Sequence, residues 1–205
     1  MTRTFIVTGT DTDIGKTIFA AGLTHALGAT YWKPIQAGLD SETDRQIVAR
    51  LSGQPTIPET YRLKMPASPH LAAEAEGQTI DPASLQVPNI TGPLVIEGAG
   101  GLLVPLNRHT VFLDIFAIWN ARVILCARTG LGTINHTLLS LRALQTAGCA
   151  VLGVAFIGDA EPEVEQTICD FGHVRRLGRL PILPQLTPKA LQSEFNAAFD
   201  IGAFS

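Results

Sequence analysis

The chain has 205 residues, 46% of them hydrophobic, which is enough apolar material for the core of one domain. Its formal net charge of -3 gives no general attraction to nucleic acid or anionic membranes, and its three cysteines (Cys126, Cys149, Cys169) lack the paired spacing of disulfides or zinc sites and are expected to be small buried hydrophobes. Without a signal-peptide pattern or an apolar run near the roughly 20 residues of a membrane helix, the protein is expected to be soluble and cytoplasmic.

Short apolar runs alternate with amphipathic stretches of helical length, as in a mainly parallel sheet with helices on both faces. In the first part of the chain, Phe5–Thr8 and Thr30–Lys33 predict strands and Thr17–Leu27 predicts a helix between them. Asp44–Leu51 also has helical spacing. Prolines interrupt the pattern across residues 36–89, so that region is expected to leave the sheet and to carry loops and one or two helices.

The regular pattern returns after residue 92 and continues to the last helix. The predicted strands are Pro93–Glu97, Arg122–Ala127, Ala150–Ile157 and Leu177–Ile182. The predicted helices are Val111–Trp119, Thr133–Ala147, Glu161–Phe171 and Lys189–Phe199. No repeat or linker divides the sequence, so residues 1–205 are expected to form a single α/β domain. The basic cluster at 175–179 is interpreted as a solvated strand end.

A glycine-rich loop follows the first predicted strand and leads directly into the first helix. It reads Gly-Thr-Asp-Thr-Asp-Ile-Gly-Lys-Thr over residues 9–17. In this context backbone N–H groups surround a phosphate, Lys16 neutralises the β- and γ-phosphates, and the Thr17 hydroxyl binds Mg²⁺. Five residues separate Gly9 from Gly15, where the general pattern has four, and an ordinary strand–turn–helix corner is the alternative. The context favours a fold of the P-loop nucleoside triphosphatase type that binds Mg-ATP.

Two acidic residues are candidates for the rest of a Mg²⁺ site, which usually combines one or two carboxylates with phosphates and water. Glu97 ends a buried strand and precedes four small residues. Because the carboxyl ends of parallel strands share one rim, Glu97 is expected close to the phosphate loop. Asp44 lies near the start of a predicted helix, where it is either a metal ligand or an acid favoured by the helix dipole.

Five segments, taken together, resemble the dethiobiotin synthetase family. They are residues 7–17, Trp32–Gly38, Ser68–His70, Glu97–Gly101 and Leu131–His136. The resemblance implies an ATP-dependent cyclo-ligase of biotin biosynthesis, which converts 7,8-diaminopelargonate, CO₂ and ATP into dethiobiotin, ADP and phosphate. In that reaction an amine carbamate is phosphorylated and the second amine closes the cyclic urea.

The resemblance also implies roles for individual residues. Lys16 and Lys33 would be catalytic, and Thr17, Asp44 and Glu97 would bind Mg²⁺. The residues implied in ATP binding are Thr12, Asp13, Ile14, Gly15, Lys16, Thr17, Asp44, Glu97, Gly98, Ala99, Gly100, Gly158, Asp159 and Pro181. The residues implied in substrate binding are Ala37, Gly38, Leu131, Gly132, Thr133 and Asn135.

The segment Leu131–Asn135, at a predicted helix N-terminus, is implied to come from a partner subunit and to receive the substrate's carboxylate, which implies a homodimer. Three positions depart from the family's pattern. Ala37 stands where the family usually has Ser or Thr. Gly158-Asp159 replaces an Asn-Asp that reads adenine, and Arg179 replaces a more usual acid.

Other interpretations stay open at this point. A corrin-amidating ligase shares the loop and the acidic strand, but such enzymes usually carry a glutaminase domain for which this chain is too short. A partitioning or switch ATPase has an extra lysine early in the loop, where this sequence has Thr10 and Asp11. A nucleotide-binding module without catalytic activity is the third alternative. His70 resembles a substrate-loop position, and His136 is either structural or functional.

Overall fold

The computed structural model describes residues 3–204, in which there are nine strands, seven α-helices and two short 3-10 helices. The strands are β1 (Thr4–Gly9), β2 (Thr30–Trp32), β3 (Ile35–Ala37), β4 (Thr56–Ile57), β5 (Tyr61–Leu63), β6 (Leu94–Gly101), β7 (Arg122–Arg128), β8 (Val151–Ile157) and β9 (Arg176–Leu180). The helices are α1 (Lys16–Leu27), α2 (Asp44–Ser52), α3 (Pro69–Ala75), α4 (Phe112–Trp119), α5 (Thr133–Thr146), α6 (Pro162–Gly172) and α7 (Pro188–Ala198). Every strand and helix predicted from the sequence is present, with ends that shift by a few residues.

Seven of the strands form one parallel sheet in the order β4-β2-β6-β1-β7-β8-β9. The first strand therefore lies in the centre, between the strand that carries Glu97 and β7. β3 and β5 form a separate two-stranded parallel sheet. The region 36–89 does leave the main sheet, as expected, but it returns one short strand, β4, to the sheet edge.

The side chains of the strands alternate between two cores, one on each face of the sheet. Phe5 and Val7 pack with α1 and α7 on one face, whereas Ile6 packs with α4 and α5 on the other. This two-layer covering is the single-domain α/β architecture predicted from the alternating pattern. No helix within residues 3–204 combines the length and the apolar character needed to cross a bilayer.

The basic cluster at 175–179 is more than a solvated strand end. Arg176 Nε lies 2.7 Å from Glu165 Oε2, and Arg179 Nε lies 3.5 Å from Oε1 of the same carboxylate. Glu165 is buried, so these two arginines compensate a charge that α6 brings into the protein interior. The prediction for the cluster missed this pairing because the acid lies ten or more residues away in sequence.

Candidate functional site

The loop between β1 and α1 has the geometry of a phosphate-binding turn. Gly15 has a left-handed backbone (φ +93°) and precedes the first helical residue, Lys16. A Cβ at Gly15 would also lie 3.0 Å from Ile157 Cγ2, so only glycine fits the position without strain. Lys16 Nζ donates a hydrogen bond to the carbonyl oxygen of Asp11 at 2.6 Å, which folds the loop around the ammonium group. The extra residue between the two glycines is thus accommodated within a closed loop.

Glu97 lies beside this loop because β6 pairs with β1, with Val7 opposite Glu97 in the register. Its side chain is almost completely buried, at 1% exposure. Glu97 Oε1 accepts a hydrogen bond from Thr17 Oγ1 at 2.8 Å and lies 3.3 Å from Lys33 Nζ, while Oε2 accepts from the Tyr31 hydroxyl at 2.7 Å. The acid predicted at the strand end is therefore part of a buried polar network.

Asp44 joins the same network from the opposite side of the cleft. It is the first residue of α2, whose N-terminus is fixed by a capping box between Thr43 and Gln46. Lys33 Nζ forms an ion pair with Asp44 Oδ2, so one ammonium group bridges Asp44 and Glu97. The sequence left Asp44 as either a metal ligand or an acid favoured by the helix dipole. The structure shows a further role, since its carboxylate balances the charge of a buried lysine.

The pKa values of the two lysines are shifted in opposite directions. Burial lowers the pKa of Lys33, but Glu97 and Asp44 more than compensate, and the pKa lies above its ordinary value. Burial lowers the pKa of Lys16, and the nearby Glu97 offsets this only in part. Burial and the neighbouring Glu97 raise the pKa of Tyr31 well above its usual range, so its hydroxyl remains a proton donor.

These groups face a cleft of about 750 Å³ at the carboxyl ends of the central strands. Most of the predicted residues of the first half of the chain line it: Thr12, Asp13, Gly15, Lys16, Thr17, Lys33, Ala37, Asp44, Glu97, Ala99 and Gly100. Residues that the sequence interpretation did not assign also line it: Gln36, Ile47, Pro66, Ala67, Ser68 and Val104. Gln36 Oε1 accepts a hydrogen bond from the backbone N–H of Asp44 at 3.3 Å, which ties α2 to the cleft wall.

Three predicted residues of this half do not line the cleft. Ile14 and Gly98 are buried behind its wall, and Gly38 is half-buried beside β5, where its N–H donates to the carbonyl oxygen of Leu63. Any contact that Ile14 or Gly98 makes with a ligand would therefore come from the backbone.

The predicted ATP-binding residues Gly158, Asp159 and Pro181 lie at the carboxyl ends of β8 and β9, outside the cleft lining. The end of β8 lies beside the phosphate loop, since a Cβ added at Gly15 would lie 3.0 Å from Ile157 Cγ2. Gly158 has φ +131°, and its carbonyl oxygen accepts a hydrogen bond from Arg179 at 2.9 Å. The arginine that replaces a family acid is thus used to hold this strand end.

The predicted substrate residues around 131–135 lie apart from the cleft in the single chain. Leu131 is fully exposed, and Gly132 and Asn135 are exposed beside it at the start of α5. Thr133 differs, because its hydroxyl is buried and donates to the carbonyl oxygen of Arg128 at 2.5 Å. The Thr133 side chain therefore stabilises the helix start and does not face solvent.

The two histidines singled out in the sequence also lie outside the cleft. His70 lines a smaller cavity with Glu74 and Arg108, and its Nδ1 is buried without a hydrogen-bond partner. His136 is exposed on α5.

The donor atoms suit Mg²⁺, which prefers hard oxygen ligands. The carboxylates of Asp44 and Glu97 both contact Lys33, and the Thr17 hydroxyl contacts Glu97. Within residues 3–204 no cluster of three or more histidine, cysteine or acidic side chains is arranged to hold a metal. These residues would therefore need phosphate oxygens and water to complete the coordination.

Comparison with known proteins identifies both the fold and a set of close relatives. Residues 3–190 match the family model described as an AAA domain. The chain is 59% identical to an ATP-dependent dethiobiotin synthetase BioD of Rhodopseudomonas palustris (strain BisB5), over 100% of this chain and 98% of the relative. It is 60% identical to the protein of the same name from Agrobacterium fabrum (strain C58), with the same coverage. Among solved structures, the cell division ATPase MinD of Pyrococcus furiosus superposes with a TM-score of 0.59 at 17% identity, covering 100% of this chain and 97% of that one, which shows the shared fold alone.

Proposed function

Because this chain belongs to the AAA domain family and, within it, to the ATP-dependent dethiobiotin synthetases, we propose that the cleft around Lys16, Lys33 and Glu97 is where its reaction takes place. The chain is an ATP-dependent cyclo-ligase that makes dethiobiotin in biotin biosynthesis. We propose that residues 1–205 form one P-loop domain that works in the cytoplasm, where ATP is available.

The phosphate loop and Lys16 bind the nucleotide in this proposal. The N–H groups at the start of α1 attract the anionic phosphates, and Lys16 moves from the Asp11 carbonyl to the β- and γ-phosphates. Mg²⁺, when bound, would neutralise phosphate charge, held by Thr17, Asp44 and Glu97. Gly158, Asp159 and Pro181 would contact the base.

Lys33 is the proposed catalytic residue, and the position of its ammonium group is the main observation that supports this role. Its ammonium group lies at the floor of the cleft between Asp44 and Glu97, next to Thr17 at the start of α1. A buried cation there stabilises negative charge that develops on the substrate carbamate and on the transferring phosphoryl group. Ala37 and Gly38 line or flank the side of the cleft where the diamine would lie.

The remaining substrate contacts would come from a second subunit. Leu131, Gly132 and Asn135 are exposed at the N-terminus of α5, and none of the three lines the cleft of its own chain. We therefore propose a homodimer in which these residues and the helix N-terminus receive the substrate's distal carboxylate. Light scattering of the wild-type protein and of Leu131→Glu tests the dimer: a monomeric, active wild-type protein would contradict it.

The decisive assay mixes the protein with Mg-ATP, bicarbonate and 7,8-diaminopelargonate and measures both ADP and the cyclic urea. Coupled formation of the two products is expected. Lys16→Ala and Lys33→Ala are both expected to abolish turnover, and Lys33→Ala should retain more affinity for ATP. ADP release that is independent of the diamine would contradict the proposed site chemistry, and equal loss of ATP affinity in both variants would contradict the separate roles.

A further inference from the structure

Tyr31 is buried directly behind the cleft and contacts none of the space that a substrate would fill. Its hydroxyl donates a hydrogen bond to Glu97 Oε2 at 2.7 Å. We infer that Tyr31 is a positioning residue for the metal site: it holds one oxygen of Glu97 inside the protein and thereby directs the other toward Thr17 and the cation. The inference rests on the proposed function, since it takes Glu97 as a metal ligand.

The sheet register produces this contact. β2 and β6 are neighbouring parallel strands, and Tyr31 lies opposite Val95. Side chains two residues apart on a strand share a face, so Val95 and Glu97 point to the same side as Tyr31. The phenol ring reaches along the strand direction from the level of Val95 to that of Glu97, two residues further, and brings its hydroxyl to the carboxylate. A shorter side chain at position 31 would not reach Glu97.

Tyr31 is also rigid enough to position another group. Its side chain has no solvent exposure and belongs to the core beneath α1 and α2. Its backbone is hydrogen-bonded within the sheet, and its N–H donates to the carbonyl oxygen of Pro55 at 3.0 Å. A ring held by packing and a backbone held on both sides leave the hydroxyl one orientation toward Glu97.

The contacts of Glu97 divide between its two oxygens. Oε1 faces the cleft and receives Thr17 and Lys33, at 2.8 Å and 3.3 Å. Oε2 faces the core and receives Tyr31. Without the hydroxyl, Oε2 would be a buried charged oxygen that lacks this donor, and rotation of the carboxylate toward the cleft donors would relieve that cost. The metal-facing oxygen would then lose its fixed direction.

A purely structural role for Tyr31 makes a different prediction. A buried hydrogen bond that only supports the core would change stability and leave cation binding untouched. The chain offers a matched control because it has two tyrosines. The hydroxyl of Tyr61 accepts a hydrogen bond from the backbone N–H of Asp81 at 3.0 Å, outside the cleft lining. It also accepts from Ser84 Oγ at 3.1 Å, and Tyr61 is half-buried. Tyr61→Phe therefore removes a hydrogen-bonded tyrosine hydroxyl without affecting Glu97.

The test measures binding of Mn²⁺, as a probe for Mg²⁺, in the presence of ADP by electron paramagnetic resonance of the free ion. Tyr31→Phe is expected to weaken Mn²⁺ binding about 10-fold, the usual effect of removing a group that orients a metal ligand. ADP affinity in the absence of metal should be unchanged, and Tyr61→Phe should bind Mn²⁺ like the wild type. Unchanged Mn²⁺ affinity in Tyr31→Phe overturns the inference, whatever happens to its melting temperature.

Glu97→Gln separates this inference from the proposed function. If Glu97→Gln binds Mn²⁺ as well as the wild type, Glu97 is not a ligand and the proposed metal site is wrong. If Glu97→Gln is impaired and Tyr31→Phe is not, only the positioning role is wrong. The unmodified protein gives an independent check, since the Tyr31 hydroxyl proton should be slow to exchange in NMR spectra and should remain so with Mg²⁺ and ADP. Rapid exchange in that complex would also overturn the inference.

Discussion

Replacing Lys33 by methionine tests the charge balance of the site before any substrate is added. Methionine keeps most of the aliphatic stem and removes the ammonium group. The side chain of Lys33 is 6% exposed, and its two partners, Glu97 and Asp44, are 1% and 25% exposed. Removing one partner of a buried ion pair costs about 3–5 kcal/mol because a charge remains buried without compensation. Since Asp44 is partly hydrated, we expect the lower end, about 3 kcal/mol.

The expected loss can be measured by thermal unfolding without nucleotide and with EDTA. In a chain of this size 1 kcal/mol corresponds to about 2–4 °C, so Lys33→Met should melt about 6–12 °C below the wild type. Lys189→Met is the matched control, because Lys189 is exposed on α7 and its variant should melt like the wild type. Mg²⁺ with ADP should restore part of the loss by supplying a replacement cation. A difference below about 2 °C would show that the ammonium group does not balance these carboxylates.

Three further predictions concern the loop, the neighbouring strand end and a core thiol. Gly15→Ala should weaken ATP binding and lower the free energy of unfolding by about 1–3 kcal/mol, because alanine is strained at φ +93° and its Cβ would lie 3.0 Å from Ile157. Calorimetry measures the ATP affinity, and urea unfolding measures the stability. Gly158→Asn, which restores the residue more usual in the family, should destabilise the protein by about 2 kcal/mol, since a side chain is strained at φ +131° and its Cβ would lie 2.5 Å from Thr129 Oγ1. Urea unfolding should show partial recovery when Thr129→Gly is added, and no recovery would refute the steric cause. Cys126 should resist iodoacetamide at pH 8 until the protein is unfolded, because burial raises the pKa of its thiol and the thiolate is the reactive form. Mass spectrometry measures the modification, and labelling of Cys126 in the folded protein would contradict this prediction.

The strands were predictable because their apolar runs reflect burial on both faces of the sheet. The exceptions have specific physical causes. β4 was missed because its two residues lie between Pro55 and Pro58, which indicate a loop, yet an edge strand needs only one partner. β6 continues through Gly101 because its glycines still pair beside Gly9, although a glycine run usually predicts a turn.

The site was predictable wherever chain order and parallel pairing determine position. Lys16, Thr17 and Glu97 come together because adjacent parallel strands end at one rim. The bridge that Lys33 makes to Asp44 was not predictable, since it depends on how α2 packs across the cleft. Tyr31 was overlooked because an aromatic residue in an apolar strand is expected to be core, and nothing local indicates the partner of its hydroxyl.

The central position of β1 has a consequence for the order in which the protein assembles. Its partners in the sheet begin at Leu94 on one side and Arg122 on the other, so the first strand pairs with segments about ninety and more residues away. Contacts of such long sequence separation form slowly, because loop-closure entropy is lost before they stabilise the chain. During synthesis, residues 9–17 are made early, but the two strands that flank β1 are both available only after β7 has left the ribosome. We therefore expect nucleotide to bind only after β6 and β7 have paired with β1.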